Sequence, residues 1–330
     1  MYPVERALLI INQSAGTGMG GSVAKQLSSL FRQEMGELSP LKVELVSDHA
    51  DARACAAGFM SESEAPALVV AGGGGGTLRA VLEGICDSST AGLPGPERVR
   101  VGALRMGSGN VLAKQFGVPH DPVTGLRGLL TNLKAGRTVP CCVMRCETWT
   151  SSGSSTIHYA VTLGGLGQFG RIPSDLARWH GRFPFIHRVA ARLLSIEKLT
   201  NVEYALAFFI RCLSCLLFPN RAETVEILTE RFRLLSGVVM NFPIAALPFK
   251  PGVTVEDEAL SVYVIPLRLL PHTRHIKIEK NKPLDIHFVD QDHVEFFLDE
   301  DPVTTYKQLR LGVAGSIAFV PGPDYRGVLA

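Results

Sequence analysis

Five consecutive glycines, Gly72–Gly76, separate an apolar run from a helical pattern in the stretch VVAGGGGGTLRAVLEG. Without side chains, such a loop lets phosphate oxygens come close to backbone N–H groups. A helix that begins there adds partial positive charge at its N-terminus. Thr77 can cap that helix or donate its hydroxyl to a phosphate. The stretch therefore predicts a phosphate site, with a purely structural tight turn as the alternative. It is not a P-loop, because no Gly-Lys-Ser/Thr follows the glycines.

Two further segments combine glycines with small hydroxyl or amide side chains: INQSAGTGMGG at residues 11–21 and RMGSGNVLA at residues 105–113. Each follows a short apolar run that predicts a strand. Ligands of open parallel sheets bind beyond the carboxyl ends of the strands, so the three loops together indicate a nucleotide site. The candidate nucleotide-binding residues are Asn12, Gly73, Gly74, Gly75, Gly76, Thr77, Gly107, Ser108, Gly109 and Asn110.

The first part of the chain alternates between strand and helix patterns with short loops between them. The predicted strands cover residues 7–12, 41–47, 66–71 and 98–104, and the predicted helices cover residues 22–33, 48–60, 78–86 and 110–118. This alternation predicts an α/β domain over residues 1–138, in which a parallel sheet carries helices on both faces.

The remainder of the chain changes to many short strand-like runs with turn signals between them. The pattern predicts a β-rich domain over residues 139–318, built as an antiparallel sandwich. One helical region, about residues 174–217, interrupts it. We expect residues 319–330 to form a tail that returns to the first domain.

Composition excludes several classes of protein. The chain has 330 residues, 46% hydrophobic and 19% charged, which is typical of a globular protein. The net charge of +2 gives no reason to expect a nucleic-acid partner. The N-terminus does not resemble a signal peptide, and the odd count of seven cysteines favours a reducing compartment. We therefore expect a soluble cytoplasmic protein.

The longest apolar stretch, residues 204–218, is broken by Arg211 and is too short to span a bilayer. Its composition favours a place in the core over a lipid pocket. Cys212 and Cys215 form a C-x-x-C within it, but no second pair follows. Two buried small residues are the favoured interpretation, and a metal or redox site is the alternative.

Several of these motifs resemble the diacylglycerol kinase catalytic family, which includes bacterial lipid kinases and the sphingosine and ceramide kinases. AGGGGGTLRAV resembles its Gly-Gly-Asp-Gly-Thr segment, RMGSGNVLAKQFGVP its Pro-Leu-Gly-Thr-Gly-Asn-Asp-Phe-Ala-Arg segment, and NQSAG its Asn-Pro-x-Ser-Gly. VTVEDEALSVYVI is similar to its Asp-Asp-Gly-x-Leu strand, and FFLDEDPV to its Asp-Gly-Glu-Pro. The motifs come in family order along nearly the whole chain.

The resemblance implies an ATP-dependent lipid kinase that uses Mg²⁺, with a β-rich domain that contributes catalytic carboxylates. It implies Asp301 as the base toward a lipid hydroxyl, with Asp299 as the alternative. A solvated acidic turn is the other interpretation of this pair. It also implies a structural metal held by the side chain of Asp257 and the carbonyls of Thr254 and Ala259. Glu258 replaces a glycine there, and a plain charged turn is the alternative.

The departures from the family pattern are equally specific. Gly75 stands where the family has an aspartate, and Arg79-Ala80 stands where Asn-Glu would follow. Pro-Leu has become Arg105-Met106. Arg79 and Arg105 can hold phosphate directly with their guanidinium groups, although a surface salt bridge is favoured for Arg79. These losses leave open the alternative that the chain is a catalytically impaired family member that binds nucleotide or lipid.

Residues 176–196 carry four arginines, two histidines and several aromatic residues, and no acid. Basic and aromatic residues together can seat a protein on an anionic membrane surface, and a packed helical hairpin with a solvated basic face is the alternative. The expected partner is a lipid substrate, with peripheral membrane contact and a homodimer as further expectations. A kinase for a soluble substrate such as NAD remains a second alternative, which the β-rich carboxylate motifs disfavour.

Overall fold

The computed structural model describes residues 4–15, 20–36, 40–88, 93–95, 97–107, 110–182, 196–244, 247, 249–267, 273–299 and 301–327. The chain divides into two compact units, residues 1–143 with 314–330 and residues 144–313. The sequence places these boundaries at 138 and 318. Both observed boundaries fall inside long strands, Val139–Trp149 and Gln308–Phe319, which sequence patterns do not divide.

The elements are numbered in chain order. The helices are α1 Gly20–Met35, α2 His49–Glu62, α3 Gly75–Asp87, α4 Val111–Gln115, α5 Pro122–Lys134, α6 Gly167–Gly170, α7 Ile172–Arg182 and α8 Ile196–Leu217, with a 3₁₀ turn at Pro219–Arg221. The strands are β1 Arg6–Asn12, β2 Leu41–Val46, β3 Ala67–Gly73, β4 Val99–Arg105, β5 Val139–Trp149, β6 Ser155–Ala160, β7 Leu163–Leu166, β8 Glu223–Ile227, β9 Glu230–Met240, β10 Ala259–Pro266, β11 Arg274–Glu279, β12 Leu284–Phe288, β13 His293–Leu298, β14 Asp301–Tyr306 and β15 Gln308–Phe319.

The first unit is built on a parallel sheet in the order β4-β3-β1-β2, and the end of β15 adds a further parallel strand beside β4. All seven residues of β3 are buried, as expected for a strand covered on both faces. Asp48 caps α2 by accepting a hydrogen bond from the Asp51 N–H at 2.9 Å. Because the strands are parallel, the loops after β1, β3 and β4 leave the same edge of the sheet.

The second unit is antiparallel, with strand order β14-β13-β7-β9-β8-β12-β15. Strand β10 pairs with β9 and β11, and β5 pairs with β6. Helices α7 and α8 supply the predicted helical region, and residues 183–195 lie outside the described residues. The predicted fold class, a parallel α/β part followed by an antiparallel β-rich part, is confirmed.

Candidate functional site

The glycine run lies at the junction of β3 and α3. The strand continues through Gly73, and the helix begins at Gly75 after Gly74 as its N-cap residue. The structure corrects both predicted boundaries, the strand end at residue 71 and the helix start at residue 78. Glycines extend both elements, but they have no side chain from which a sequence pattern could indicate this. Thr77 is the third helical residue and does not cap the helix. The first helical hydrogen bond runs from the Leu78 N–H to the Gly74 carbonyl at 3.2 Å, so the backbone N–H groups of residues 75–77 precede it.

Asn12 connects the first loop to the glycine loop. Its side-chain amide donates to the Thr77 hydroxyl oxygen at 3.1 Å, and its carbonyl oxygen accepts from the Ser14 N–H at 2.8 Å. Thr77 is buried. The two side chains therefore hold the end of β1 against the first turn of α3, which positions the loops relative to each other.

The loop after β4 packs directly on the glycine loop. The N–H groups of Met106 and Gly107 donate to the Gly73 carbonyl at 3.3 and 3.0 Å. Asn110 is left-handed, with φ of 51°, and its side-chain oxygen accepts from the Gly107 N–H at 3.0 Å. Ser108 and Gly109, predicted to bind nucleotide, lie outside the described residues. Asn110 therefore closes the loop on itself with its own side chain.

Protein packing leaves no room for a side chain at Gly73 and Gly107, but it leaves room for one at Gly74. A Cβ on Gly107 would lie 2.4 Å from the Gly74 Cα, and a Cβ on Gly73 would lie 2.3 Å from the Thr77 hydroxyl oxygen. A Cβ on Gly74 would meet only the Gly107 Cα, at an ordinary 3.6 Å. The protein's own packing accordingly excludes side chains at 73 and 107, as the structural alternative requires. It does not exclude one at 74.

Arg79 does not lie on the surface. Its side chain is 5% exposed, and its Nε and Nη2 atoms each lie 3.2 Å from Oε1 of Glu83 one turn later. The Glu83 carboxylate, 1% exposed, also accepts from Arg53 at 3.1 Å and lies 2.9 Å from His49 Nε2. In place of the predicted roles of Arg79, in phosphate binding or in a surface salt bridge, the structure shows a buried ion pair with Glu83 within α3, and Glu83 also pairs with Arg53 of α2.

We expect Glu83→Gln to lower the free energy of unfolding by about 2 kcal/mol, because the buried guanidinium of Arg79 loses a charged acceptor. Urea unfolding followed by circular dichroism measures this. Asp87→Asn is the matched control. Asp87 also pairs with Arg53, at 2.6 Å, but its side chain is 40% exposed, so its loss should cost less than about 1 kcal/mol. Equal costs for the two variants would contradict the buried pair's importance.

In the second unit, Asp299 occupies the turn between β13 and β14. Leu298 pairs with Asp301 across a two-residue connection, and Asp299 has a left-handed φ of 47°, as such turns require. Its carboxylate accepts from the backbone N–H groups of Val161 at 2.8 Å, Thr162 at 2.8 Å and Leu163 at 3.1 Å, and from the Thr162 hydroxyl.

Asp299 is only 2% exposed. Burial raises the pKa of its carboxyl above the ordinary value, and the hydrogen bonds from Thr162, Val161 and Leu163 oppose that shift. Because four donors already occupy the two oxygens, the structure argues against Asp299 as a base toward substrate. Asp301, the favoured candidate, is the half-buried first residue of β14. Asp299 thus fixes the turn from which Asp301 extends.

The predicted metal residues form a compact turn before β10. The Asp257 carboxylate accepts from the Thr254 N–H at 2.7 Å and its hydroxyl at 3.0 Å, and the Asp257 N–H donates to the Thr254 carbonyl at 3.1 Å. Ala259 is the first residue of β10. The described part of the chain contains no group of three or more His, Cys, Asp or Glu residues that could hold a metal ion. These contacts support the charged-turn interpretation, and the metal site stays a prediction.

Comparison with known proteins gives one family and one fold. Residues 6–146 match the model of the diacylglycerol kinase catalytic domain. A solved structure described as a "putative diacylglycerol kinase" from Bacillus anthracis str. Sterne is 15% identical, with a TM-score of 0.59 over 97% of this chain and 98% of that chain. A second, described as a diacylglycerol kinase from the same organism, is also 15% identical, with a TM-score of 0.60 over 97% and 98%. No curated protein matches the sequence. At this identity the structural likeness shows the fold alone.

Proposed function

Because residues 6–146 belong to the diacylglycerol kinase catalytic domain family, we propose that the chain is an ATP-dependent lipid kinase that phosphorylates a hydroxyl of diacylglycerol or of a similar lipid. The proposal rests on one observation, the hydrogen bonds that join the three loops. They follow the neighbouring strands β1, β3 and β4, and hydrogen bonds from Asn12 to Thr77 and from Gly107 to Gly73 tie them together.

The proposed phosphate contacts are backbone groups. The N–H groups of residues 75–77 open α3, where the helix dipole favours negative charge. A Cβ at Gly74 would have room within the protein, so packing does not explain the missing side chain there, and a bound phosphate would. Main-chain donors do not depend on the acids that the family pattern has at this turn. ATP binding is therefore expected to survive their loss.

Mg²⁺ is part of the proposal only as a companion of ATP. None of the three loops, residues 11–21, 72–77 and 105–113, contains an aspartate or glutamate. Magnesium prefers oxygen ligands that include carboxylates or phosphates, so the side chains of these loops do not fit a metal held by the protein there. Any Mg²⁺ at these loops would be held by the nucleotide's own phosphates.

The proposed reaction assigns one proton transfer to the chain. The lipid hydroxyl oxygen forms a bond to the γ-phosphorus of ATP as the bond from that phosphorus to the ADP oxygen breaks. The Asp301 carboxylate takes the hydroxyl proton. Phosphoryl transfer otherwise depends on positioning and on neutralising charge, which the loop N–H groups would supply.

The test is incubation with labelled ATP and a panel of lipids in detergent micelles, with NAD as a soluble acceptor for comparison. We expect label to enter a lipid and not NAD. Calorimetry should detect binding of ATP or ADP. Absence of nucleotide binding at millimolar concentration would overturn the nucleotide site, and label in NAD would overturn the lipid acceptor.

A catalytically impaired member that binds nucleotide or lipid is the second candidate, and Gly75 favours it. We expect Gly75→Asp to make ATP affinity about tenfold more dependent on Mg²⁺, equivalent to about 1.4 kcal/mol, and to raise any kinase rate. A carboxylate there would repel bare phosphate and attract metal-bound phosphate. Residue 75 lies in the first turn of α3, so its backbone is helical and an aspartate adds no left-handed strain.

The measurement is ATP affinity with and without Mg²⁺, together with lipid phosphorylation. Gly75→Asn is the matched control, because it adds nearly the same shape without the charge. Strong metal dependence with brisk turnover in the unmodified protein would show that other carboxylates perform this role, and the impaired candidate would then be excluded.

A further inference from the structure

Helix α8 and strand β2 both expose large apolar side chains. On α8, Phe209 is exposed, while Ala207 on the opposite side is buried in a core cluster with Phe169. The prediction that residues 204–218 belong to the core is thus correct for one side of α8 and wrong for the other. No helix in the described part of the chain is long and apolar enough to cross a membrane. Strand β2 differs from α8, because its exposed Leu45 stands at the edge of a sheet.

Strand β2 is the last strand of the parallel sheet, and within the described part of the chain it pairs only with β1. The Ala7 N–H donates to the Pro40 carbonyl at 2.9 Å. The Gln13 N–H donates to the Val46 carbonyl, also at 2.9 Å. Because the main-chain groups of successive strand residues point to opposite sides, the even-numbered residues of β2 face β1. The N–H and C=O groups that point away from the sheet belong to Leu41, Val43 and Leu45.

A groove of about 500 Å³ lies between this edge of β2 and helix α1. Binding sites commonly have volumes of this order. Val43 and Leu45 form the apolar wall of the groove, and Leu45 is 44% exposed. Spacing of three, four and seven residues places the lining residues of α1 in one row along the helix. We call this the edge groove, and its row on α1 consists of Lys25, Ser28, Ser29 and Arg32.

The edge groove is basic. Lys25 and Arg32 are both exposed, and neither forms an ion pair or a hydrogen bond with another described residue. Seven residues of helix separate them by about 10 Å along its axis. No aspartate or glutamate lines the groove. A partner in this groove is therefore expected to bring negative charge.

The acidic residues of the two elements have other partners. Glu34 of α1 lies 2.7 Å from Lys134 of α5. Glu44 of β2 lies 3.6 Å from Lys42. These two side chains alternate with Val43 and Leu45, so they lie on the other face of the sheet. Neither glutamate neutralises the cations of the edge groove.

From this arrangement we propose that the edge groove binds an extended acidic segment of a partner protein, which adds as a strand beside β2. The outward main-chain groups of β2 would pair with the backbone of the segment. Alternate side chains of the segment would point toward α1. Carboxylates at those positions would meet Lys25 and Arg32, and the hydroxyls of Ser28 and Ser29 can donate to the same oxygens.

Two other occupants suit the edge groove less well. Antiparallel pairing of two β2 strands about a two-fold axis would place both α1 helices on the same face of the joined sheet. The cations of the two copies would then face each other, and like charges oppose association. A small anion would neutralise the cations but would leave the outward main-chain groups of β2 without strand partners. An extended acidic segment satisfies both.

Peptide selection followed by direct binding tests the proposal. A phage library of short random peptides is selected on the full-length protein, and the selected peptides are synthesised with a fluorophore for anisotropy. We expect them to carry aspartate or glutamate at alternate positions. Lys25→Glu with Arg32→Glu should weaken their binding about tenfold or more.

The matched control is Arg137→Glu with Lys277→Glu, which makes the same change of charge outside the edge groove. Both side chains are exposed, and neither forms an ion pair with a described residue. This control should bind the peptides as wild type does. Thermal unfolding of every variant shows that its fold is intact.

The main-chain pairing has its own test. Leu45→Pro removes an outward N–H and no hydrogen bond to β1, and proline is tolerated at such edge positions. We expect it to bind the selected peptides about tenfold or more weakly than Leu45→Ala, in which the same side chain is truncated and the N–H is kept. In the wild-type protein, amide hydrogen exchange in β2 should slow when a selected peptide binds.

Four results would overturn the proposal. The first is a selection that yields no binding peptide, or only peptides without alternating acids. The second is binding that the reversal of Lys25 and Arg32 leaves unchanged. The third is unchanged exchange of β2 in the presence of bound peptide. The fourth is a wild-type dimer at sedimentation equilibrium that Leu45→Pro converts to monomer, since a second copy would then occupy the edge. None of these measurements depends on kinase activity, so failure of this proposal and failure of the proposed function are distinguishable.

Discussion

Asp301→Asn is expected to lower the rate of lipid phosphorylation by about 10²-fold or more while ATP affinity stays nearly unchanged. The substitution keeps the shape of the side chain and removes its basicity. Asp301 begins β14, opposite Leu298 in a hairpin whose turn is held by Asp299. Its position is therefore set by the hairpin, and asparagine at 301 should leave that hairpin intact.

The neighbouring carboxylate supplies the contrast. Asp299→Asn replaces one of two accepting oxygens by an amide that points hydrogens at backbone donors. We expect the free energy of unfolding to fall by about 1–3 kcal/mol. Single-turnover kinetics and urea unfolding on both variants separate chemistry from stability. An unchanged rate in Asp301→Asn would remove it from the reaction, and a loss of rate in a stable Asp299→Asn would restore Asp299 as the base.

Gly107→Val is expected to lower the free energy of unfolding by about 3 kcal/mol, because its Cβ meets backbone that cannot move aside. That Cβ would lie 2.4 Å from the Gly74 Cα and 2.8 Å from the Gly74 nitrogen. The hydrogen bond from the Gly107 N–H to the Gly73 carbonyl would also be strained. The two loops would separate, and ATP binding would be lost with or without a direct contact to the nucleotide.

Gly74→Ala distinguishes ligand contact from packing. Its Cβ has room within the protein, and an alanine N-cap should cost less than about 1 kcal/mol. If phosphate lies against Gly74, ATP affinity should fall about tenfold or more. Calorimetry and thermal unfolding of both variants give the answer. Full ATP affinity in Gly74→Ala would move the phosphates away from this turn, and normal stability in Gly107→Val would contradict the packing described.

The recurrent patterns of the chain predict much of this fold. Apolar runs alternate with helical spacing through the first 138 residues, and burial of such runs on both faces yields a parallel sheet. Glycine-rich segments after three of the strands also predict which edge carries the candidate nucleotide site. The predicted fold class is confirmed because it depends on periodicity, which is a local property, and the nucleotide site stays a prediction.

Other features depend on residues that are distant in the chain. The spacing of Arg79 and Glu83 suggests a helical ion pair, but only the packing of α2 on α3 buries it beside Arg53. Asp299 is similar, because its hydrogen-bond donors lie more than 130 residues earlier. No local sequence pattern predicts which carboxylate will accept hydrogen bonds from a distant backbone segment.

By itself the sequence determined the alternation of strands and helices, the position of the three loops and the family they resemble, because each of these follows from local residue types. Only the tertiary structure decided which glycines serve packing, which of two aspartates is enclosed, and which side of α8 stays uncovered. When a helix is apolar on both sides, its sequence does not indicate which side packs against the core. That choice is made when Phe169, Ile172 and Ala207 come together, and it leaves the opposite side exposed.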